Sequence, residues 1–261
     1  MGWVVKRVTE ARLKNPILIE GLPGMGNVGK IAVDFLIDRL DAKKLLEISS
    51  YDMPHCVFVN EDNLVELPEI EIYFKNINGR TLLFLSGDIQ PIDERSCYEF
   101  CNEVLNSFQK DNGHEIITLG GIALPKIPKI PKVYCTGNDR KVVNRYKSRD
   151  VDMNIHGVVG PIIGVSGLLT GLAGKRNIPA VALLAETFAH PNYIGISGAK
   201  QILKILKREF KLDVNLAELD DDANEIQKNF AQARRIKNLI KRKKLKPVKG
   251  LQPEARLDYI G

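Results

Sequence analysis

The segment PAVALLAETF (179–188) constrains the fold most. Only Glu186 and Thr187 interrupt a continuous apolar run. A run this short and this apolar suits a strand buried on both faces, which requires helices above and below a sheet. NPILIEGL (15–22) reads as a second buried strand, opened by Pro16 and closed by glycine. LVELPEIEIYF (64–74), RTLLFLSGD (80–88), EIITLGGIA (115–123), KVYCTG (132–137) and GVVGPIIG (157–164) read as further strands, with AKKLLEISS (42–50) and CVFVN (56–60). Asn78-Gly79 between two of these runs predicts a tight hairpin turn. Helices are expected over 27–40, 94–111, 164–177 and 197–210, where apolar residues recur at helical spacing, and over DRKVVNRYKS. Strand and helix alternate at both ends, with a strand-only stretch from about 56 to 88. This order predicts an α/β protein: a three-layer α/β/α sandwich with a mixed sheet.

Length and composition agree with one large domain plus an appendage. The chain has 261 residues, 44% of them apolar, enough for a substantial core. No apolar run reaches the roughly 18 residues of a membrane span, and the N-terminus lacks a signal segment. A cytoplasmic protein with no membrane partner is expected. Cys97 and Cys101 share a helical stripe with Val104, Leu105 and Phe108, and no CxxC pair occurs. The four cysteines read as buried free thiols, and no metal site is expected.

The charge is concentrated. The net charge is +6, and nine lysines and arginines with no acid lie between Arg234 and Lys249. The rest of the chain is therefore slightly acidic. From Asn215 to Leu245 acids fill the first turns and basics the last, which suits the dipole of one long helix. Its apolar stripe, Ile226, Phe230, Ala233 and Ile240, is narrow enough for packing on another helix or subunit. A core domain over 1–213, a basic amphipathic helix over 214–246 and a flexible tail over 247–261 are expected. The basic run is one candidate for nucleic-acid binding, but no aromatic residue interleaves it for base stacking. Nucleic acid is therefore an unfavoured partner.

Two glycine-rich segments invite enzymatic readings. GLPGMGNVGK (21–30) contains Gly24-x-Gly26-x-x-Gly29, the spacing of a dinucleotide loop, and then Lys30. Ile31 stands where a P-loop needs a hydroxyl for magnesium. Glu47, the candidate ribose ligand, falls inside a predicted strand. The simplest reading is a strand-to-helix turn that needs glycine for its backbone. An anion or nucleotide site formed by Gly24, Gly26, Gly29 and Lys30 is the alternative. In GPIIGVSGLLTGLAG (160–174), Leu168 replaces the last glycine of a nucleophile elbow, so Ser166 reads as a helix N-cap. No catalytic residue and no cofactor are expected.

LPKIPKIPKVY (124–134) places Pro125, Pro128 and Pro131, and likewise Lys126, Lys129 and Lys132, at every third position. This is the period of polyproline II. It reads either as a stiff crossover or as a rib with a basic edge that faces a partner.

Five segments together resemble the archaeal proteasome assembly chaperone family. They are LIEGLPGMGNVGKIAVDFLI, LSGDIQP, GGIALPKIP, GPIIGVSGLLTGLA and ALLAETFAHPN, in this order, within roughly residues 10 to 235. The resemblance implies a phosphorylase/hydrolase-like α/β/α fold, homo-oligomers and no ATP requirement. It also implies binding to proteasome α subunits or the α-ring through a C-terminal tail with a hydrophobic residue, tyrosine and one final residue. Here the end is Leu257-Asp258-Tyr259-Ile260-Gly261, with tyrosine third from the end and Asp258 before it.

Overall fold

In the computed structural model, which describes residues 2–60, 62–155, 157, 160–190 and 193–220, the central sheet grows from the apolar runs noted above. In chain order the elements are β1 (Val4–Arg7), β2 (Ile17–Glu20), a 3-10 turn (Met25–Asn27), α1 (Val28–Arg39), β3 (Lys43–Ser49), β4 (Phe58–Val59) and β5 (Val65–Glu66). Then come β6 (Ile70–Ile77), β7 (Arg80–Gly87), α2 (Glu94–Lys110), β8 (Glu115–Leu124), β9 (Val133–Gly137) and α3 (Arg140–Arg145). The last are β10 (Val151–Asp152), α4 (Val165–Lys175), β11 (Ala180–Phe188) and α5 (Ile196–Phe210).

Nine strands form one mixed sheet in the order β1-β3-β6-β7-β2-β8-β11-β9-β10. β7, β2, β8 and β11 are parallel neighbours. β1, β3 and β6 extend the sheet antiparallel on one side, and β9 pairs antiparallel with β11 on the other. The apolar runs supply both faces because alternate side chains point opposite ways. Leu18, Leu83, Leu85 and Ile116 join Phe100, Cys101, Val104 and Leu105 of α2 and Val165 and Leu169 of α4 in one core. Their alternates Ile17, Ile19, Leu82, Phe84 and Ile117 are equally buried. α1 and α5 pack together over β7, β8 and β11 on that face. This is the expected three-layer α/β/α sandwich.

Turn and side-chain chemistry shape the chain locally. Asn78 and Gly79 have φ of 50° and 81°, as a two-residue hairpin turn between Ile77 and Arg80 requires. Asp93 caps α2 by accepting from the Ser96 N–H. The Asn215 side chain accepts from the Ala217 N–H at 3.1 Å.

Some expectations fail. CVFVN and the start of LVELPEIEIYF do not enter the sheet. Phe58–Val59 and Val65–Glu66 make a separate two-stranded hairpin, and the main ladder resumes only at Ile70, after Pro68, which has no N–H to donate. Residues 160–164 form no strand, because Pro161 lacks the donor and Gly164 sits at φ 89°. Val4–Arg7, only four residues long and too short to show a period, is an unforeseen edge strand. Cys97, Cys101 and Cys135 are buried and free as expected, but Cys56, on the approach to the hairpin, is exposed.

Candidate protein-binding face

The carboxyl ends of the parallel strands are where ligands bind in open α/β sheets. Here that end is closed by the chain itself. β2 finishes at Glu20, and the glycine loop turns back over the sheet through a 3-10 turn in which Gly26 (φ 63°) and Asn27 (φ 51°) are left-handed. A Cβ on Gly29 would lie 2.5 Å from the Leu119 carbonyl oxygen, and one on Gly21 would lie 2.3 Å from that of Gly29. A Cβ on Gly26 would lie 2.5 Å from Thr187 Oγ1. The Gly26 carbonyl accepts from the Gly195 N–H at 2.7 Å. The space that Gly26 and Gly29 clear is thus occupied by β11 and β8, with the start of α5 bonded to Gly26, and Gly21 lets the loop fold back onto the first turns of α1. A Cβ on Gly24, by contrast, would come no closer than 4.0 Å to another residue.

Lys30 is engaged on its own helix, with its Nζ 2.9 Å from Asp34 Oδ2. Asp34 also accepts from the Ser86 hydroxyl. Glu47 lies on β3, which β6 and β7 separate from β2, and it pairs with Lys6 at 3.1 Å. At the ordinary spacing between strands this places it roughly 14 Å along the sheet from the loop.

Beneath the loop sits a residue the sequence reading overlooked. Glu20 is fully buried. Its Oε1 accepts from the Leu22 N–H and its Oε2 from the Ser166 hydroxyl, both at 2.9 Å. Burial dominates over these two bonds and pushes its pKa up to about 7. Ser166 is therefore not a helix cap: Gly164 holds that position, and the hydroxyl serves the buried carboxyl. Gln90 completes the closure. Its Nε2 donates to the Pro23 carbonyl at 2.7 Å, and its Oε1 accepts from the Val165 N–H at 3.3 Å. The one cue to Glu20 in the sequence was a carboxylate closing an otherwise apolar strand.

On top of this closed floor lies apolar surface. β3, β7, β2 and β8 all end on the same side, and β6 begins there. Ile92 follows β7, Met25 follows β2, Ile127 and Ile130 follow β8, and Ile163 precedes α4. All are exposed, Ile163 to 87% and Ile130 to 77%. The hairpin between β3 and β6 adds Tyr51, Val57, Phe58, Leu64, Val65 and Leu67. Most of the large exposed apolar side chains thus gather at one end of the sheet. Exposed apolar side chains gathered in this way make that end a candidate for protein contact.

Among the described residues no group of three or more His, Cys, Asp and Glu side chains is placed to hold a metal, and no helix is long and apolar enough to cross a membrane. The stripe Ile226, Phe230, Ala233 and Ile240, the basic run 234–249 and the tail Leu257–Gly261 lie outside the described residues.

Comparison with known proteins agrees with this architecture. The chain is 28% identical to the uncharacterized protein MJ1210 of Methanocaldococcus jannaschii over the full length of both. The crystal structure of Pyrococcus furiosus PbaB, described as an archaeal proteasome activator, is similar with TM-score 0.79 and 28% identity, over 89% of this chain and 99% of that one. Pyrococcus furiosus PbaA, described as an archaeal homolog of proteasome-assembly chaperone, matches with TM-score 0.70 and 24% identity, over 92% and 95%. The PAC2 family model matches residues 18–234. The five motif segments are the ones that build the closed end of the sheet, and the chain belongs to the PAC2 family.

Proposed function

We propose that the protein is an ATP-independent proteasome assembly chaperone. It works as a cytoplasmic homo-oligomer and engages proteasome α subunits or the α-ring, partly through its C-terminal tail. It is not an enzyme and needs no cofactor. One observation carries this reading: where an enzyme of this topology keeps a ligand crevice, most of this loop is packed on the chain's own backbone and the surface above it is apolar. The proteasome as partner draws support from the printed descriptions of the similar structures.

In the tail, Tyr259 is the aromatic anchor, with Leu257, Asp258, Ile260 and Gly261 around it. An aromatic side chain seated in a pocket supplies a few kcal/mol. Several tails on one oligomer raise the apparent affinity further. The basic run before the tail speeds approach to an acidic surface at low salt. Self-association draws on the stripe Ile226, Phe230, Ala233 and Ile240.

Titration of purified α-ring tests the proposal. Deleting residues 257–261 is expected to abolish binding, and Tyr259→Ala to weaken it. Removing Gly261 alone makes tyrosine penultimate and is expected to preserve or strengthen binding. Equal binding by the chain lacking 257–261 overturns the tail mechanism, and no binding by any form overturns the proteasome as partner. A thermal shift with nucleotide that Lys30→Ala removes would instead favour the small-molecule reading.

A further inference from the structure

The hairpin β4–β5 does not belong to any layer of the fold. An isolated two-stranded hairpin is marginal in water, yet this one exposes apolar side chains at successive positions: Phe58, Val59, Leu64, Val65 and Leu67, the last to 75%. Its charge is as one-sided as its exposure. From Tyr51 to Glu69 the chain carries Asp52, Glu61, Asp62, Glu66 and Glu69 and no lysine or arginine. Among the described residues, Asp62 and Glu66 form no ion pair; Glu66 only accepts from the Asn60 amide at 2.7 Å.

A second exposed feature has the opposite character. The proline rib that leaves β8 presents Ile127 and Ile130, with Lys126 and Lys129 beside them. From Pro125 to Val133 there is no acid. Among the described residues Lys126 and Lys129 have no carboxylate within ion-pair reach, whereas Lys132 lies 3.8 Å from Asp152. The prolines hold the rib stiff, so docking on it orders little extra chain.

Both features stand at the same end of the sheet. They sit on opposite flanks, because β7 and β2 lie between the β3–β6 pair that carries the hairpin and the strand β8 that feeds the rib. They are separated by roughly 14 Å at ordinary strand spacing.

We infer that the acidic apolar hairpin of one copy docks on the basic proline rib, Lys126–Ile130, of the next copy of this chain, closing a head-to-tail ring. The occupant is a second copy because the two patches match: apolar surface meets apolar surface, and the flanking charges are opposite. Two different patches on one subunit make a heterologous contact, which closes into a ring when the rotation allows. The inference rests on the self-association proposed above and adds to the stripe Ile226, Phe230, Ala233 and Ile240 a contact made by the sheet domain.

The full-length chain, measured by mass photometry and light scattering, tests this. Phe58→Asp with Val65→Asp, and separately Lys126→Glu with Lys129→Glu, are each expected to weaken subunit association at least about 100-fold. All four side chains are exposed, so folding is retained, as circular dichroism would verify. Mixing the two variants is the decisive arm. The intact hairpin of the rib variant meets the intact rib of the hairpin variant, so a species of two chains is expected from two monomeric stocks. If both variants keep the wild-type mass, or if the mixture stays monomeric, the interface is overturned. Wild-type mass in both variants together with dissociation by Phe230→Asp leaves self-association standing and overturns only this interface. A hairpin variant that keeps its mass but loses the α-ring makes the hairpin a client surface and overturns the inference as well. A monomeric wild-type chain overturns it together with the self-association on which it rests.

Discussion

Two buried glutamates on neighbouring strands show how a single residue's surroundings set its behaviour. Glu115 opens β8 and is held by the Arg145 guanidinium and the Tyr146 hydroxyl. Glu20 closes β2 and meets only neutral donors, Leu22 N–H and Ser166 Oγ. With no cation at its carboxyl among the described residues, Glu20 is easier to bury protonated. Its pKa then lies near 7 in the folded chain against 4.5 ordinarily. The folded state therefore binds more protons between those values, and stability is lost as pH rises from about 4.5 to about 7. The shift corresponds to roughly 3 kcal/mol. Glu20→Gln reproduces the protonated pattern, with one oxygen for Leu22 N–H and one donor for Ser166. The variant is expected to be more stable than the parent at pH 8 and to lose most of the slope between pH 4.5 and 7 in urea unfolding. An unchanged slope would show that Glu20 stays ionised through that range. Nothing in an apolar strand ending in glutamate indicated this; complete burial beneath the folded loop raises the pKa, and the bond from Ser166, 146 positions away, offsets only part of it.

At the scale of elements, α3 is anchored by electrostatics more than by apolar area. It is six residues long, and Val142 is its only buried residue. Arg145 pairs with both oxygens of Glu115 and with Glu209 of α5 at 3.0 Å. Burial disfavours the charged guanidinium and is the largest single effect, but the bond to Glu115, its negative charge and Tyr146 together outweigh it, so the arginine pKa is raised. Arg145→Met is expected to cost about 3 kcal/mol, because Glu115 keeps its charge and loses its cation. Arg145→Met combined with Glu115→Gln is expected to recover much of that loss in thermal unfolding. Equal destabilisation by single and double variants would locate the cost in α3 packing instead. The glycine turn is the contrasting element, fixed by backbone approach. Gly29→Ala would push a methyl onto the Leu119 carbonyl, and a loss above about 2 kcal/mol is expected with no new chemistry involved. The turn was legible as an element from its spacing. That Leu119, Thr187 and Gly195 fill it depended on which strands lie beside β2.

At the scale of the molecule, the body extends past the last helix of the sandwich. Leu212, Val214 and Leu219 are buried, and Lys200 and Arg39 pair with Asp220 and Glu218. The chain divides into one unit over Met1–Asp221 and a second over Asp222–Gly261. A chain ending at Asp221 is expected to unfold within a few degrees of the full-length protein. One ending at Asp213 is expected to melt several degrees lower, since losing buried Leu219 and Val214 removes a few kcal/mol of apolar burial. Equal melting of both truncated chains would show that 214–221 adds nothing to the fold.

Burial on both faces was legible in PAVALLAETF, because a short apolar run with no polar stripe has no side to offer water. The helices were legible in their period, and Asn78-Gly79 in its backbone preference. Five separated segments together were enough to indicate the family. The sequence by itself thus determined the layers and most of the elements. It did not determine strand order. It also did not show that CVFVN and LVEL leave the sheet as an exposed hairpin, since apolar residues read alike whether a partner strand or a partner chain covers them. Periodicity reports how a segment wants to be half-buried, and says nothing of what buries it. Closure of the glycine loop, the neutral surroundings of Glu20 and the gathering of apolar side chains at one end all come from residues far apart in sequence. Only the tertiary structure decided those, because only the sheet order brings them together.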